Sequence, residues 1–420
     1  MKRRLRNLGL AAVALCACAG CRDRAAGILG DASKGHDGDG PDVSISLTCG
    51  NGTRDLGEEC DDGNLRSHDG CSSGCTLERP VWVETTPAKG PKGEHALTYD
   101  ARRGVVVLFG GWDFANDMRT WEYDGTTWAD TTPAVCPPTR RDHSLAYDAA
   151  RGQAVLFGGS FRSDTWEYDG KTWVKKSTAV SPVGRAEHGL VYDAGRRVVV
   201  LFGGVAQGWD FRFDTWEYDG TTWLEKTSSP SPPACKDPRL AYDAGRAVVV
   251  LFGDGCTTDT TALPDTWEYD GGHWTAVSPA ASPPSRFHHA LAYDVARGRV
   301  VLFGGLDSTS LTALSDTWEY DGTAWKQLTP AVSPPARSDH SMTYDSARRR
   351  VVLFGGAKGT SSGGHPMIWD TWEYHWTSDW PDELCDNGAD DDSDGATDCV
   401  DPDCEGKPCG GGVCSGGVCR

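Results

Sequence analysis

The chain has 420 residues and a formal net charge of −19, with 52 glycines and 17 tryptophans. This charge disfavours non-specific binding to nucleic acid, whose phosphates repel an acidic surface. The sequence contains no long uninterrupted helical pattern, which disfavours the helical fold classes. It also contains 16 cysteines, most of them in the two flanks of the chain, and this usage suits an oxidising compartment.

Residues 1–21 have the features of an export signal. A basic start is followed by a short apolar run, Leu8–Leu15, which is too short for a stable transmembrane helix. The sequence CACAGCR follows and resembles a bacterial lipoprotein signal. The resemblance implies a lipid on Cys21, or on Cys18, and thus an anchor in a bacterial outer membrane or cell surface. Simple cleavage and secretion is the alternative. Residues 22–48, rich in Gly, Asp and Ser, are predicted to be a flexible tether.

A small cysteine-rich module is predicted at residues 49–79. Its sequence CGNGTRDLGEECDDGNLRSHDGCSSGCTLE resembles the cysteine-rich repeat of myxobacterial secreted proteins. So short a segment cannot build an adequate apolar core, and we therefore expect two disulfides to stabilise it. The spacing leaves all three pairings open among Cys49, Cys60, Cys71 and Cys75. A zinc site is the alternative, and the absence of paired Cys-x₂₋₄-Cys knuckles disfavours it.

Six similar segments follow, each with Tyr-Asp, then Leu-Phe-Gly-Gly or nearly so, then Trp-x-Tyr and a further Trp. In the second copy, alternating and apolar runs predict strands at 143–147, 153–157 and 165–168. A fourth strand begins at Trp173, after the hairpin turn Asp169-Gly170. The Tyr-Asp motifs recur at intervals of 45 to 51 residues, which indicates a radial array of small sheets.

These motifs resemble kelch repeats over about residues 81–376. The resemblance implies an all-β fold, a six-bladed kelch-type β-propeller at 80–380, with aromatic residues filling the wedges between blades. The segment Trp82–Pro87 matches the fourth strand that begins at Trp128, but it precedes the first repeat. The sixth repeat lacks the Asp-Gly hairpin after Tyr374. We therefore predict that the N-terminal strand completes the sixth blade and leaves no open sheet edge.

The loop after Leu-Phe-Gly-Gly differs strongly between repeats, whereas the hairpin turns hardly vary. Variable loops on a rigid scaffold are where binding usually occurs, and aromatic side chains there suit stacking on sugars or contact with apolar side chains. The alternative is that they pack between blades. The candidate ligand-binding aromatics are Trp112, Phe114, Phe161, Trp209, Phe211 and Trp369.

A polar ring is a second candidate for ligand binding. A histidine opens the first strand in five repeats, and four of these have an arginine three residues earlier. On the innermost strands, these arginines would rim the central channel and hold an anionic ligand. The alternative is a repeated local hydrogen bond, with Glu122 and its equivalents as partners. The four arginines are Arg140, Arg185, Arg286 and Arg337.

The fourth repeat departs from the pattern. Cys235 stands where the arginine is expected and Pro238 where the histidine is expected, and the variable loop contains Cys256. Because both cysteines fall on the same predicted face of one blade, we predict a Cys235–Cys256 disulfide that contributes roughly 2–4 kcal/mol. Cys136 then has no partner within the repeats.

Residues 381–420 form an acidic, cysteine-rich tail. Five aspartates have the spacing of positions 1, 3, 5, 9 and 12 of an EF-hand loop, and the run resembles Asp-rich, Cys-flanked motifs of bacterial surface proteins thought to bind metal. We therefore predict Ca²⁺ binding, with a solvated acidic linker as the alternative. The predicted ligands are Asp390, Asp392, Asp394, Asp398 and Asp401.

Two classes of function fit the sequence. The first is a monomeric, non-catalytic, surface-anchored protein that recognises a glycan or a protein through its variable loops. The second is a carbohydrate enzyme, since the kelch-like propellers include sialic-acid mutarotases. No catalytic triad, phosphate loop or carboxylate pair stands out from the repeats, and no organic cofactor is expected. An enzyme would need one blade whose inner residues differ and converge on a pocket. Only the fourth repeat differs, and it is interpreted as losing polar groups.

Overall fold

The computed structural model describes about two thirds of the chain. The described residues are 49–54, 60–61, 71–72, 75–87, 90–91, 95–110, 118–233, 237–253, 266–359 and 366–377, with the backbone of 408–409, 412–415 and 418–419. These residues form strands and turns and no helix. Within the same ranges there is accordingly no helical segment long and apolar enough to span a bilayer. The predicted lipidation sites, Cys18 and Cys21, lie outside the described residues.

The repeats form six four-stranded antiparallel sheets, called blades 1 to 6 in chain order. The first strand of each blade packs against the first strands of both neighbours, and the contact of blade 6 with blade 1 closes the ring. The strands of blades 1 to 3 are β2 (Ala96–Asp100), β3 (Val105–Phe109), β4 (Thr120–Tyr123) and β5 (Trp128–Asp130); β6 (Ser144–Asp148), β7 (Gln153–Phe157), β8 (Thr165–Tyr168) and β9 (Trp173–Lys176); and β11 (Gly189–Asp193), β12 (Val198–Phe202), β15 (Thr215–Tyr218) and β16 (Trp223–Glu225).

Blades 4 to 6 repeat this order, except that the outermost strand of blade 6 is the first strand of the chain. Their strands are β17 (Arg239–Asp243), β18 (Val248–Phe252), β19 (Thr266–Tyr269) and β20 (Trp274–Val277); β22 (Ala290–Asp294), β23 (Arg299–Phe303), β25 (Thr317–Tyr320) and β26 (Trp325–Leu328); and β27 (Ser341–Asp345), β28 (Arg350–Phe354), β29 (Thr371–Thr377) and β1 (Arg79–Glu84). Short strands lie outside the blades: β10 (Arg185–Ala186), β13 (Val205–Ala206), β14 (Asp210–Phe211), β21 (Arg286–Phe287), β24 (Leu306–Asp307), β30 (Pro408–Cys409), β31 (Gly412–Ser415) and β32 (Val418–Cys419).

The predicted closure is confirmed. Strand β1 pairs antiparallel with β29, with Trp82 opposite Tyr374 and Glu84 opposite Trp372. The sixth sheet is therefore built from both ends of the repeat region, and every blade has a complete outermost strand. The closure therefore leaves no third strand of a blade with an unpaired edge.

Aromatic side chains fill the wedges between blades, as predicted. In blade 2, Trp173 stacks on Tyr168 with ring centroids 5.0 Å apart and meets Phe109 of blade 1 at 5.1 Å. Its indole Nε1 donates to the Thr120 hydroxyl of blade 1 at 2.9 Å, so the buried polar atom is satisfied. The same Trp–Thr hydrogen bond joins every neighbouring pair of blades around the ring.

The hairpin turns of neighbouring blades are also joined by polar contacts. Glu122 of blade 1 accepts hydrogen bonds from Arg103 of its own blade at 2.7 Å and from the Tyr168 hydroxyl of blade 2 at 3.0 Å. Burial raises the pKa of Tyr168 to about 12. The guanidinium of Arg103 also lies against Gly170, whose φ of +91° belongs to the left-handed region.

The cysteine-rich module contains two nested disulfides, Cys49–Cys75 and Cys60–Cys71. The expected pair of bridges is confirmed, and the structure selects one of the three pairings that the spacing left open. Cys136 is an unpaired thiol in the described part of the chain. Cys235, Cys256 and the five tail aspartates lie outside the described residues, so the disulfide and the calcium site there stay predictions.

Candidate functional site

The four arginines of the repeats do not rim the channel. The Arg185 guanidinium donates to both carboxylate oxygens of Asp214, at 2.6 and 2.8 Å, and to the carbonyls of Gly203 and Val183. Its side chain is completely buried. The other three arginines are equally buried and form the same bidentate pairs, Arg140 with Asp164, Arg286 with Asp316 and Arg337 with Asp370.

This arrangement corrects the expectation that the arginines hold an anionic ligand, because an internal carboxylate already occupies each guanidinium. It also corrects the expected partner, which is not Glu122 or its equivalents but the aspartate before Thr-Trp on the third strand. Burial alone would raise the pKa of Asp214, but the hydrogen bonds and charge of Arg185 hold it below its ordinary value. The sequence carries a signal for this pairing: every repeat with the arginine also has that aspartate.

The variable-loop aromatics separate into three groups. Trp112 and Phe114 lie outside the described residues. Trp369 is half-buried and packs against the apolar cluster between blades 6 and 1, so for this residue the structural alternative holds. Phe161, Trp209 and Phe211 are exposed, and Trp209 has 73% of its surface accessible. A fourth exposed aromatic, Phe213, lies in the same variable loop as Trp209 and Phe211 but was not among the predicted site residues, although the same sequence signal applies to it.

The exposed aromatics belong to the variable loops of blades 2 and 3. Short strands connect the two loops. The backbone N–H of Arg185, at the start of β10, donates a hydrogen bond to the Arg162 carbonyl. Strand β10 pairs with β13, and β13 pairs with β14, which contains Phe211. Phe161 and Trp209 both have φ near +60°, a conformation that costs a non-glycine residue about 1–2 kcal/mol. We call the exposed set the aromatic ledge: Phe161, Trp209, Phe211 and Phe213.

A second candidate site is the central cavity, with a volume of about 130 Å³. In each blade, one residue directly precedes the histidine that opens the first strand, or the proline that replaces this histidine in blade 4. This preceding residue lines the cavity in all five blades in which the structure describes it. All five have φ between +55° and +59°. Left-handed conformations of this kind cluster at functional sites, where surrounding structure holds them in place. We call these residues the rim: Asp142, Glu187, Asp237, His288 and Asp339.

Two side chains make the rim asymmetric. Arg239 occupies a position that Ala, Ser or Gly holds in the other repeats, and His288 replaces an acidic residue. Arg239 pairs with Asp237 at 2.9 Å, and His288 Nδ1 lies 2.5 Å from a carboxylate oxygen of Asp339. Blade 4 therefore does not merely lose polar groups, as the sequence suggested. It adds a cation to the cavity, next to the blade that adds the histidine.

The charges of the rim affect its titration. Burial and the facing carboxylates of Asp237 and Asp339 raise the pKa of Asp142, although Arg141 and His288 oppose the shift. Burial would likewise raise the pKa of Asp339, but the charge and hydrogen bond of His288 lower it. The cavity is thus acidic beside Asp142 and balanced beside His288. Among the described residues there is no group of three or more side chains placed to hold a metal ion.

No family model matches the chain. A curated relative, Adagio-like protein 3 of Oryza sativa subsp. japonica, is 30% identical over 117 residues, which cover 24% of this chain. The match spans only 18% of the rice protein. The solved structure of YjhT matches with a TM-score of 0.53 and 16% identity, covering 68% of this chain and 95% of that one. The chain is a six-bladed β-propeller. At this identity, the likeness of the two propellers concerns their fold alone.

Proposed function

We propose that this protein is a non-catalytic binding protein, held at a bacterial outer membrane or cell surface by a lipid on Cys21 or Cys18. Its propeller recognises a ligand through the aromatic ledge, and the protein acts as a monomer. The lipoprotein-like start, the tether and the disulfide module support the surface location. The ledge supports binding.

The observation that carries the proposal is the exposure of Trp209. The indole has 73% of its surface in water, and hydration of this apolar surface is unfavourable in free energy. A ligand that covers the ring would remove this cost. The left-handed backbone of Trp209 closes the turn between β13 and β14 and leaves the indole facing solvent. A large aromatic group displayed at the tip of a hairpin is typical of a recognition surface.

Between the two ligand classes, the polar neighbours of the ledge favour a glycan. Asp210 and Arg212 flank Phe211, are partly exposed and pair with each other at 2.9 Å. Aromatic rings stack on the apolar C–H face of a sugar, and a carboxylate with a guanidinium can exchange hydrogen bonds with its hydroxyl groups. A purely apolar protein ligand would leave this ion pair desolvated and poorly compensated.

A glycan and peptide array with the full-length protein in detergent tests the proposal. We expect binding to a glycan that falls at least about tenfold when Trp209→Ala and Phe211→Ala are combined, because such anchors carry most of the energy of an interface. Val174→Ala is the matched control, since Val174 is 54% exposed but lies on an outer strand of blade 2. If the double variant binds like the unchanged protein, the ledge is not the binding surface.

A second candidate is an enzyme that acts on a carbohydrate, similar to a sialic-acid mutarotase. The convergence of Arg239 and the His288–Asp339 pair on one cavity favours it, because a histidine oriented by a carboxylate can transfer protons. The acidic rim disfavours a sugar acid, whose carboxylate it would repel. NMR measurement of the rate at which sugar anomers interconvert tests for the enzyme. Rates equal to those in buffer, for both neutral and acidic sugars, would exclude this second candidate.

A further inference from the structure

Blade 6 departs from the other blades where its third strand ends. In blades 1 to 5 an Asp-Gly hairpin joins the third strand to the fourth. In blade 6 the third strand continues through His375 and Trp376 instead, because its fourth strand, β1, comes from upstream of the repeats. A pocket of about 160 Å³ lies there. We call it the arginine pocket; besides His375 and Trp376, its wall contains Asp294, Arg348, Arg349 and Arg350.

The arginine pocket lacks a negative charge that the other blades have at the corresponding place. Each Asp-Gly hairpin contains an aspartate, and in blade 1 the carboxylate of Asp124 accepts backbone N–H groups of Thr126 and Thr127, both at 2.8 Å. The backbone hydrogen bond from Thr127 contributes most to lowering the pKa of Asp124 to about 2, so this carboxylate is ionised at neutral pH. His375 takes the position of this aspartate in blade 6.

The turn between the first two strands of blade 6 adds positive charge to the same pocket. It is the one such turn in the six repeats with three consecutive arginines, Arg348, Arg349 and Arg350. Asp294 is the one acidic residue among the described residues that line the pocket, and Arg297 lies 3.5 Å from its carboxylate. The departures of blade 6 from the repeat pattern therefore all make the pocket more cationic.

The arginines are accessible from the pocket, and internal carboxylates do not engage all of them. Arg348 donates to Asp345 at 2.6 Å, and Arg350 lies 3.4 Å from Glu373. Their side chains nevertheless have 25% and 34% of their surfaces exposed. Arg349 is exposed, and none of the carboxylates that the structure describes forms an ion pair with it. A guanidinium at Arg349 is thus available to a ligand.

The hydrogen bond between Arg350 and His375 defines what the pocket can bind. Nη1 of Arg350 lies 3.1 Å from Nδ1 of His375. A guanidinium only donates, so Nδ1 accepts and the proton of the neutral ring is on Nε2. Both side chains therefore have only N–H groups left for further hydrogen bonds, and an occupant has to supply the acceptors. Arginine forks match the oxygens of carboxylates and phosphates, and several cations together favour the doubly charged group.

We propose that the arginine pocket binds the phosphate group of a phosphate monoester, with Arg349 and Arg350 as its cations and His375 as a neutral N–H donor. The site lies at the hairpin end of the blades, opposite the variable loops, and does not depend on the function proposed for the aromatic ledge. A soluble ester and the headgroup of a lipid could both present this group.

Isothermal titration of the full-length protein in detergent, with inorganic phosphate and glycerol 3-phosphate, tests the proposal. We expect saturable binding of one molecule per chain that weakens as salt is added. Dimethyl phosphate has the same tetrahedral shape with one charge, and acetate has one charge on two oxygens, so both should bind at least about tenfold more weakly. Absence of saturable binding by both phosphate probes, or equal binding of acetate, would overturn the proposal.

A short-chain lipid separates the two sources of the phosphate group. Dihexanoyl phosphatidic acid carries the glycerol 3-phosphate headgroup, and its heat of mixing with detergent alone is subtracted. Binding tighter than that of glycerol 3-phosphate would support a lipid ligand, whereas equal or weaker binding would support a soluble ester.

Variants then locate the site. Arg349→Gly removes a cation at a left-handed position where three other repeats have glycine, so the turn should tolerate it, and binding should weaken about tenfold or more. Arg197→Gly is the matched control, since Arg197 is exposed and has the equivalent position in blade 3, with φ of +57° against +56° for Arg349. Equal losses in these two variants would contradict the location.

The position of His375 gives a test that does not depend on the arginines. His375→Asp restores the charge of the other hairpins and should weaken binding more than His375→Asn, which leaves the position neutral. Melting temperatures of both variants show whether the propeller stays folded. Equal affinity of the two folded variants, or unchanged affinity in both His375→Asp and Arg349→Gly, would disprove phosphate binding in this pocket.

Discussion

The indole Nε1 of Trp82 donates a hydrogen bond of 3.0 Å to the hydroxyl of Thr317, a residue 235 positions later in the chain. The ring also packs on Phe303, with centroids 5.1 Å apart, and is 2% exposed. Trp82 thereby supplies to blade 6 the contact that Trp173 supplies to blade 2. The first strand of the chain is consequently an integral part of the propeller core.

Trp82→Ala should destabilise the whole propeller. Loss of a buried tryptophan costs about 3–5 kcal/mol, and the ring cannot stay closed if β1 leaves β29. Thermal unfolding followed by circular dichroism measures the effect, and deletion of residues 81–87 should abolish the cooperative transition. Val83→Ala is the control on the same strand, because Val83 is 37% exposed. A deletion variant that melts like the unchanged protein would disprove the closure.

Gly170→Ala should destabilise the joint between blades 1 and 2. A Cβ there would lie 2.5 Å from Nε of Arg103, and the φ of +91° is unfavourable for alanine, so we expect a loss of about 1–3 kcal/mol. Gly208→Ala has a similar φ of +87° with open space around the Cβ, and it isolates the backbone cost. Denaturant unfolding compares the two variants. Equal losses would mean that the Arg103 contact contributes nothing.

Arg185→Ala should be strongly destabilising, by about 3–5 kcal/mol, because it leaves the buried carboxylate of Asp214 without its cation. Arg119→Ala removes an arginine from an exposed pair and should change the free energy of unfolding by less than about 1 kcal/mol. A double-mutant cycle of Arg185 and Asp214 measures the coupling. If the cycle gives no coupling energy, the pair is not what holds the third strand.

The same pair predicts a pH dependence. The pKa of Asp214 is lower in the folded protein than the ordinary value of 3.8, so its contribution is present above pH 4 and is lost as the pH falls below that value. Asp164, Asp316 and Asp370 shift in the same direction and add to the effect. Melting temperatures from pH 6 to pH 3 should fall more steeply than those of Asp214→Asn. Parallel curves for the two proteins would contradict this assignment.

The thiol of Cys136 should react slowly with iodoacetamide in the native protein. Burial raises the pKa of this thiol, and the thiolate is the reactive form. Mass spectrometry of the alkylated peptide gives the rate, which should rise sharply on unfolding in guanidinium. A native rate equal to the unfolded one would show that the thiol is accessible. A non-reducing peptide map of the protein tests the Cys235–Cys256 disulfide predicted from the sequence, and free thiols at both positions would disprove it.

Much of the fold could be predicted because the repeats encode it locally. The apolar run before Leu-Phe-Gly-Gly and the alternation around Trp-x-Tyr define the strands, and the unmatched strand at Trp82 identifies the closure. The candidate sites were harder to predict. Whether Phe161 faces solvent and Trp369 packs inward depends on loop backbone angles that side-chain composition does not determine.

The residues that line the central cavity were wrongly predicted for a related reason. Arg239 follows Pro238 directly. Only the proline stands where the other repeats have histidine, and so the arginine next to it was overlooked. Arg239 lines the cavity two residues after Asp237, a rim residue with a left-handed backbone. Comparison of the repeats reveals which residues are exceptional, but it does not show the direction in which their side chains point.

The pairing of β1 with β29 also has a mechanical consequence. Any pulling force applied to the chain upstream of Arg79 enters the propeller through the outermost strand of blade 6. Because β1 lies antiparallel at the sheet edge, with Arg79 at its leading end, the load would separate its backbone pairs one after another. Stretching experiments on single molecules would therefore detect the release of blade 6 before the other five blades open.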